Sequence, residues 1–255
     1  MSSGNESTSH IIQSLLINVA IAIVKAIAAF FTGSGAMLAE ALHSSADCGN
    51  QLLLLVGVRQ ARKKADASHP LGYGRDVYFW SFLVALMLFT GGGVVSIYEG
   101  IHKIITPEKV ERVWIGIGIL LISLALEGTA TWSNIRELNR RRAAKPFFKY
   151  LRDTKDSDLV VVFAENAAAV LGLVFALVAL PVAYVTGDGR WDGAGSLVIG
   201  LVLVGVAIFL AIEVKSLLVG EAADEELDPI IRQVVADTAG MERVLNMITV
   251  QQGPG

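Results

Sequence analysis

Long apolar stretches are the feature that most constrains what this chain can fold into. A helix needs about 20 mostly apolar residues to cross a bilayer, because each residue rises 1.5 Å and the hydrocarbon layer is about 30 Å thick. Of the 255 residues, 53% are hydrophobic and 18% are charged, a departure in both respects from an ordinary soluble domain. Six stretches are long and apolar enough, at about residues 11–31, 36–58, 77–101, 113–132, 159–182 and 193–219. We therefore predict an all-α integral membrane protein with six transmembrane helices in a lipid bilayer.

Composition excludes several other classes of protein. The high apolar content is incompatible with intrinsic disorder. A single cysteine, Cys48, cannot form a disulfide within the chain. The formal net charge of −3 gives no indication of a nucleic-acid partner. The first apolar stretch is too long for a signal peptide and no small-residue cleavage pattern follows it, so we expect it to be retained.

The distribution of basic residues predicts the orientation in the membrane. Two connections, after the second and the fourth spans, carry most of them: Arg59, Arg62, Lys63, Lys64, Arg75, Arg136, Arg140, Arg141, Arg142, Lys145, Lys149, Arg152 and Lys155. The connections on the other side hold only Lys103, Lys109, Arg112 and Arg190. Basic loops face the cytoplasm, so both termini are predicted to be cytoplasmic. Charge does not identify the membrane; we expect the bacterial inner membrane, with an organelle membrane as the alternative.

The sequence changes character after the sixth span. An acidic segment is followed by a helical pattern that begins near Pro229, and residues 244–250 alternate like a strand. One helix and one strand cannot bury a core alone. We expect residues 1–220 to form a transmembrane domain and residues 221–255 to begin a small cytoplasmic α/β domain, completed by further chain or by a partner chain.

The second span carries ionisable residues at membrane depth. His43 and Asp47 are four residues apart and Glu40 precedes His43 by three, so all three lie on one side of a helix. An imidazole and a carboxylate at this spacing supply two ligands for a divalent transition metal. The alternative is that His43 and Asp47 only satisfy each other as a polar contact between helices. Burying an ionised group costs more free energy than a purely structural contact returns in stability, and this favours metal binding.

The fifth span supplies a third candidate ligand. Glu165 lies several residues inside an apolar helix, with Asn166 next to it. Adjacent residues point about 100° apart, so both need not face one site. We predict that Glu165 completes a site with His43 and Asp47, with Asn166 or water in the remaining position. The alternative is a protonated Glu165 hydrogen-bonded to a neighbouring helix.

Further charged residues occur within or near the spans, among them Lys25, Glu127 and Asp192. Lys25 can extend toward the nearer membrane interface, and Glu127 can pair with Lys25 or carry protons. For Glu127 the ion pair is the preferred interpretation. Asp192 is predicted to cap the helix that begins at Gly193.

Two segments of the chain resemble a known family. The sequence Gly-Ser-Gly-Ala-Met-Leu-Ala-Glu-Ala-Leu-His-Ser-Ser-Ala-Asp at residues 33–47 and His-Pro-Leu-Gly-Tyr-Gly-Arg at residues 69–75 resemble the cation diffusion facilitator family of divalent-metal/proton antiporters. The resemblance extends over essentially the whole chain. The run Glu-Asn-Ala-Ala-Ala-Val-Leu-Gly at residues 165–172 is similar to the branch that includes the mitochondrial zinc transporter of animals.

The resemblance implies a homodimer that exports zinc or a related metal from the cytosol in exchange for protons. It places the transport site between the second and fifth spans, where His43 and Asp47 match the family pattern. The fifth span departs from that pattern, because Val161 and Val162 stand where a ligand is usual. Asn166 stands where this branch usually has aspartate. The resemblance also implies that the carboxy-terminal domain is an α/β unit, similar to metallochaperones, that mediates dimerisation.

A second, weaker metal site is implied in the connection after the second span. Asp66 and His69 occupy matching positions there, but Tyr73 stands where the family has a second histidine. The alternative is a turn held by Gly72 and Gly74.

Together these features predict a transporter rather than an enzyme. We expect Zn²⁺ as the transported substrate, protons as the counter-ion and alternating access as the mechanism, with manganese, iron(II) or cobalt as alternative cargoes. A cation channel would need a continuous polar path, whereas the polar groups cluster at one depth. An intramembrane metalloenzyme would need a nucleophile arrangement that the sequence lacks, and a purely structural subunit would not need His43, Asp47 and Glu165 together.

Overall fold

The computed structural model describes residues 3–61, 63–142, 145–154, 157–222, 227–238, 240 and 246–251. These residues form helices and connections, with no strand among them. The helices are α1 (Ser3–Thr32), α2 (Gly35–Ala61), α3 (Asp76–Met87), α4 (Val95–Ile105), α5 (Val113–Arg141), α6 (Phe147–Asp153), α7 (Ser157–Thr186), α8 (Arg190–Val219) and α9 (Leu227–Ala236). A π-helical segment, Leu88–Val94, joins α3 to α4 without a break.

Four of the predicted spans are helices long and apolar enough to cross a membrane. They are Asp76–Ile105, Val113–Arg141, Leu159–Thr186 and Arg190–Val219. The prediction of an all-α membrane protein is therefore confirmed. The described part of α1 contains a shorter apolar stretch, Asn18–Thr32, and α2 carries Glu40, His43 and Asp47. Membrane crossing by these two helices stays a prediction.

Helix α2 lies in the middle of the bundle and positions the polar residues. It packs against α1, α3, α4, α7 and α8, while α7 also packs against α5 and α8. The core between the helices is formed by large side chains with almost no exposed surface, among them Met37, Tyr78, Leu120, Leu173 and Leu203. A side chain on the inner face of α2 is therefore surrounded by helices on several sides.

Glycines let α4 and the π-helical segment approach α8 closely. A Cβ atom at Gly100 would lie 2.5 Å from the backbone nitrogen of Leu197, and one at Gly200 would lie 2.7 Å from the nitrogen of Ile97. At the same crossing the Ser196 hydroxyl donates a hydrogen bond of 3.0 Å to the carbonyl of residue 96. Small residues thus bring the two backbones together, as is common between membrane helices.

Asp192 caps α2 and not its own helix, so the prediction made for it is wrong. Helix α8 begins at Arg190, which places Asp192 inside the first turn. The Asp192 carboxylate accepts hydrogen bonds from the Ser34 hydroxyl at 2.5 Å and from the Gly35 N–H at 2.6 Å, and it lies 3.3 Å from Lys103 Nζ. The physical reason is that the first N–H groups of α2 have no partner within the helix and need an acceptor from elsewhere.

The described part of the carboxy-terminal segment contains the predicted helix but not the predicted strand. Helix α9, Leu227–Ala236, matches the helical pattern around Pro229. Residues 246–251 have no regular secondary structure, and residues 244 and 245 lie outside the described residues. A strand needs a neighbouring strand for its backbone groups, and none of the described residues forms a strand with which 246–251 could pair. The division into domains at residue 220 stays a prediction.

Candidate metal centre

One face of α2 presents three polar side chains toward the interior of the bundle. His43, Asp47 and Asn50 follow each other at intervals of four and three residues, which is the spacing of one helix face. His43 and Asn50 are buried, and the Asp47 side chain is 23% exposed. The sequence places His43 and Asp47 on one face, and the structure brings their side chains within 3.7 Å, measured from His43 Nε2 to Asp47 Oδ2.

The distance between His43 and Asp47 suits two ligands of one metal ion. Two atoms that each lie about 2.0–2.1 Å from a tetrahedral zinc ion are separated by about 3.4 Å. The observed 3.7 Å exceeds this separation by a few tenths of an ångström, which a small rotamer change can remove. The pair is thus close to the geometry that a shared metal ion requires.

The same face contains ligand atoms that lack a hydrogen-bond partner. In the described part of the chain, both ring nitrogens of His43, Oδ1 of Asp47 and Oδ1 of Asn50 are buried without one. Buried polar atoms in proteins are hydrogen-bonded in the great majority of cases. A concentration of unpartnered nitrogen and oxygen atoms on one helix face is therefore a place where a cation can be bound.

Helix α7 brings Glu165 to this face. Asn50 Nδ2 donates a hydrogen bond of 2.5 Å to Glu165 Oε1, and the carboxyl groups of Asp47 and Glu165 interact electrostatically. Among the residues that the structure describes, no three His, Cys, Asp or Glu side chains converge on one metal position. Glu165 is thus connected to the pair on α2 through Asn50 and does not contact both members directly.

Asn50 is a site residue that the sequence predictions did not include. It lies seven residues after His43 and three after Asp47, so the helical spacing that singled out those two residues also includes Asn50. Burying an uncharged amide costs less free energy than burying a carboxylate, so an asparagine in an apolar helix is a weaker indication of a functional site.

Asn166 connects α7 to α5 through its backbone. Its carbonyl accepts a hydrogen bond of 3.2 Å from Thr131 Oγ1, which also bonds the Glu127 carbonyl at 2.8 Å. Val161, one turn before Glu165, is buried in the apolar core. The role of Asn166 as a further ligand stays a prediction.

A buried ion triad lies one helical turn from His43. Lys25 Nζ lies 3.1 Å from Glu40 Oε2 and 2.8 Å from Glu127 Oε1. The side chains of Lys25 and Glu40 are fully buried, and that of Glu127 is 17% exposed. The predicted pairing of Lys25 with Glu127 is confirmed. The alternative for Lys25, extension to the membrane interface, is wrong, because two carboxylates within the bundle compensate its charge.

The second candidate site, in the connection between α2 and α3, is organised as a turn. Asp66 Oδ1 accepts the backbone N–H groups of Ser68 and His69 at 2.8 Å, and Oδ2 accepts the Tyr73 hydroxyl at 2.7 Å. The Tyr73 hydrogen bond holds the pKa of Asp66 below its usual value. His69 Nδ1 lies 3.6 Å from Asp66 Oδ1, and the His69 ring packs on the Tyr73 ring with centroids 4.2 Å apart. These contacts show that Asp66, His69 and Tyr73 stabilise the turn. Metal binding at Asp66 and His69 stays a prediction.

The family follows from comparison with known sequences. Residues 11–219 match the model of the cation efflux transmembrane domain. The chain belongs to this family. The resemblance drawn from the second-span and loop motifs is thereby confirmed. The matching relatives are named as transporters, which agrees with the expectation of a transporter rather than an enzyme.

Several members of the cation efflux family align with most of the chain. The chain is 33% identical over 249 residues to the mitochondrial proton-coupled zinc antiporter SLC30A9 of Xenopus laevis, an alignment that covers 92% of the chain and 44% of the relative. It is 32% identical over 218 residues to the human protein of the same name, with 85% and 38% covered. It is 31% identical over 197 residues to metal tolerance protein C4 of Arabidopsis thaliana, with 76% and 43% covered. The chain spans less than half the length of these relatives.

Proposed function

We propose that this chain contains the membrane domain of a proton-coupled antiporter that exports zinc from the cytosol by alternating access. The observation that carries the proposal is the polar face of α2, where, among the described residues, His43, Asp47 and Asn50 have buried ligand atoms without a hydrogen-bond partner and Asn50 contacts Glu165 on α7. The names of the relatives, proton-coupled zinc antiporters, support zinc as the cargo and protons as the counter-ion.

The proposed site couples metal and protons through the same atoms. A metal ion binds a neutral imidazole and deprotonated carboxylates, so binding at His43, Asp47 and Glu165 releases any protons held there. Protonation of the same groups on the other side of the membrane then expels the metal. Asn166 or water fills the remaining position of a tetrahedral zinc site.

The proposed architecture has six membrane spans. Helices α1 and α2 cross the membrane together with the four long apolar helices, which returns both termini to the cytoplasm. Residues 1–220 form the transport domain and residues 221–255 begin a cytoplasmic domain. The arrangement is supported by the basic residues of the connections after α2 and α5, which are those expected to face the cytoplasm.

The assembly and the membrane are also part of the proposal. We propose a homodimer, as the family resemblance implies, in a bacterial inner membrane. The relatives named as mitochondrial support an organelle membrane as the alternative. Crosslinking in native membranes, followed by fractionation, distinguishes these locations and shows whether two copies associate.

A flux experiment in proteoliposomes tests the proposed transport. The purified chain is reconstituted with a zinc-sensitive dye and a pH-sensitive dye inside, and zinc is added with and without a pH gradient. We expect zinc uptake that is driven by the gradient and accompanied by opposite proton movement. The variant Asp47→Ala should abolish both signals because a carboxylate ligand is lost.

The control for this experiment is Ser45→Ala. Ser45 is exposed on α2, between His43 and Asp47, and its hydroxyl bonds the Ala41 carbonyl of the same helix. This variant should transport normally. Full transport by Asp47→Ala would overturn the assignment of the site, and gradient-independent zinc flux would indicate a channel. Repeating the assay with manganese, iron(II) and cobalt identifies the preferred cargo.

A further inference from the structure

The ion triad formed by Lys25, Glu40 and Glu127 contains one positive and two negative side chains, whereas a simple ion pair is neutral. Its members come from α1, α2 and α5, and Lys25 Nζ contacts both carboxylates, at 3.1 Å and 2.8 Å. One ammonium group and two carboxylates leave one uncompensated negative charge. An uncompensated charge in the low-dielectric interior of a bundle is strongly disfavoured, and protonation of one carboxyl group removes it.

The triad also has free acceptor atoms on which a proton can reside. Oε1 of Glu40 and Oε2 of Glu127 are buried, and in the described part of the chain neither has a hydrogen-bond partner. Oε1 of Glu40 lies against Gly172 of α7, where a Cβ atom would collide with it. Each carboxyl group thus uses one oxygen for Lys25 and keeps the other available.

The triad interacts electrostatically with the candidate metal ligands without including them. The titratable groups around it are His43 and Asp47 on α2, and Glu165 on α7 interacts in turn with Asp47. Lys25 and Glu127 both interact with Asp47. Inside a bundle such interactions are much stronger than in water, so a divalent cation bound at His43 and Asp47 disfavours a proton on the triad.

We propose that the Lys25–Glu40–Glu127 triad is a proton-binding site, separate from the metal ligands, that holds one proton between its two carboxyl groups and loses it when metal binds at His43 and Asp47. The proton moves from the triad to water on the side to which the metal site is open, and a proton from the opposite side replaces it after the metal leaves. Glu127, the member with exposed surface, is the point of exchange. This inference rests on the proposed antiport and identifies where part of the proton flux is carried.

Zinc titration calorimetry in two buffers of different ionisation enthalpy tests the proposal, because it counts the protons released per zinc ion bound. The purified chain is compared with Glu40→Gln and Glu127→Gln, in which the amide oxygen can still accept from Lys25. Each variant should bind zinc with an affinity within a few-fold of the unmodified chain and release about one proton fewer per zinc ion. The conservative variant Glu127→Asp should restore the proton count.

A matched control comes from the same helix. Glu137 of α5 is a partly exposed carboxylate paired with Arg140 and Arg141, away from the triad. Glu137→Gln should leave both affinity and proton count unchanged. Unchanged proton release in both triad variants would overturn the proposal, and so would failure of both variants to fold, since the triad would then be required only as a structural ion cluster.

The outcome for the triad is distinguishable from that for the antiport itself. If the unmodified chain neither binds nor transports zinc, the proposed function fails and the inference fails with it. A different outcome is that Asp47→Ala abolishes zinc binding while the triad variants release as many protons as the unmodified chain. This outcome overturns only the triad proposal and does not contradict the proposed antiport.

Discussion

The side chains of Asn50 on α2 and Glu165 on α7 are joined by a hydrogen bond of 2.5 Å. This contact links the two helices that supply the candidate metal ligands. It orients the Glu165 carboxyl group toward the face that carries His43 and Asp47, while Oδ1 of Asn50 stays buried without a partner in the described residues. Asn50 therefore either positions Glu165 or contributes its own oxygen to the cation.

Replacing Asn50 by alanine should weaken zinc binding. The change removes the donor that orients Glu165 and one candidate oxygen ligand, and loss of a group that orients a metal ligand weakens affinity by about 10–100-fold. Isothermal titration of zinc into the purified variant measures the effect. Ser45→Ala, on the exposed side of the same helix, is the control. Unchanged affinity in Asn50→Ala would show that the contact with Glu165 has no part in metal binding.

Removing the Asp192 carboxylate should strongly destabilise the fold. Asp192→Ala deletes the cap of α2 and leaves Lys103 buried without its carboxylate, and breaking a buried ion pair costs about 3–5 kcal/mol. Thermal unfolding in detergent checks this. The comparison is Asp188→Ala, which loses a hydrogen bond to the N–H of Arg190 at the start of α8 and should cost only about 0.5–2 kcal/mol. Equal stability of the two variants would contradict a stabilising role for the contacts of Asp192 with Gly35 of α2 and Lys103 of α4.

An added methyl group at Gly172 should disturb the ion triad. The Cβ atom of Gly172→Ala would collide with Oε1 of Glu40, and the other oxygen of that carboxylate, Oε2, is held in place by Lys25. Such overpacking costs about 1–3 kcal/mol. Gly205→Ala is the matched control, because nothing lies within 4 Å of a Cβ atom there. The free energy of unfolding in denaturant should fall for Gly172→Ala and stay equal or rise for Gly205→Ala. A lower free energy of unfolding for Gly205→Ala than for Gly172→Ala would show that Glu40 can shift away from the added methyl group.

The turn at Asp66 should lose its structure in acid. Hydrogen bonds, first of all from Tyr73, lower the pKa of Asp66 below its ordinary value of 3.8. A lowered pKa means that the carboxylate stabilises the folded turn above the ordinary value, and that this stabilisation is lost as the pH falls through the lowered value. Hydrogen exchange at the Ser68 and His69 amides, which donate to Asp66, should therefore accelerate only at strongly acidic pH.

Removing the Tyr73 hydroxyl should raise the pH at which Asp66 becomes protonated. In Tyr73→Phe the pKa of Asp66 should rise toward its ordinary value, because the largest cause of the shift is gone. A carbonyl ¹³C NMR titration of labelled aspartate measures the change directly. Tyr98→Phe, on the exposed surface of α4, should leave the titration unaltered. An unshifted Asp66 in Tyr73→Phe would mean that the backbone N–H groups alone hold the carboxylate.

Features that depend on local spacing were predictable from the sequence. The apolar stretches that form Asp76–Ile105, Val113–Arg141, Leu159–Thr186 and Arg190–Val219 could be located by length and hydrophobicity alone. The common face of His43 and Asp47 follows from the 3.6-residue helical repeat. The family motif around these two residues, at residues 33–47, lies within one continuous stretch of chain. Such features depend on neighbours in sequence and need no knowledge of the rest of the fold.

Contacts between distant segments were decided only by the tertiary structure. Lys25 meets Glu40 and Glu127, which lie 15 and 102 residues away, and Asp192 caps a helix that begins 157 residues earlier. Helical periodicity shows which residues share a face, but not which helix that face meets. Helix packing determined the partners, because a buried charge or an unpaired helix end takes the complementary group that neighbouring helices bring within hydrogen-bond distance.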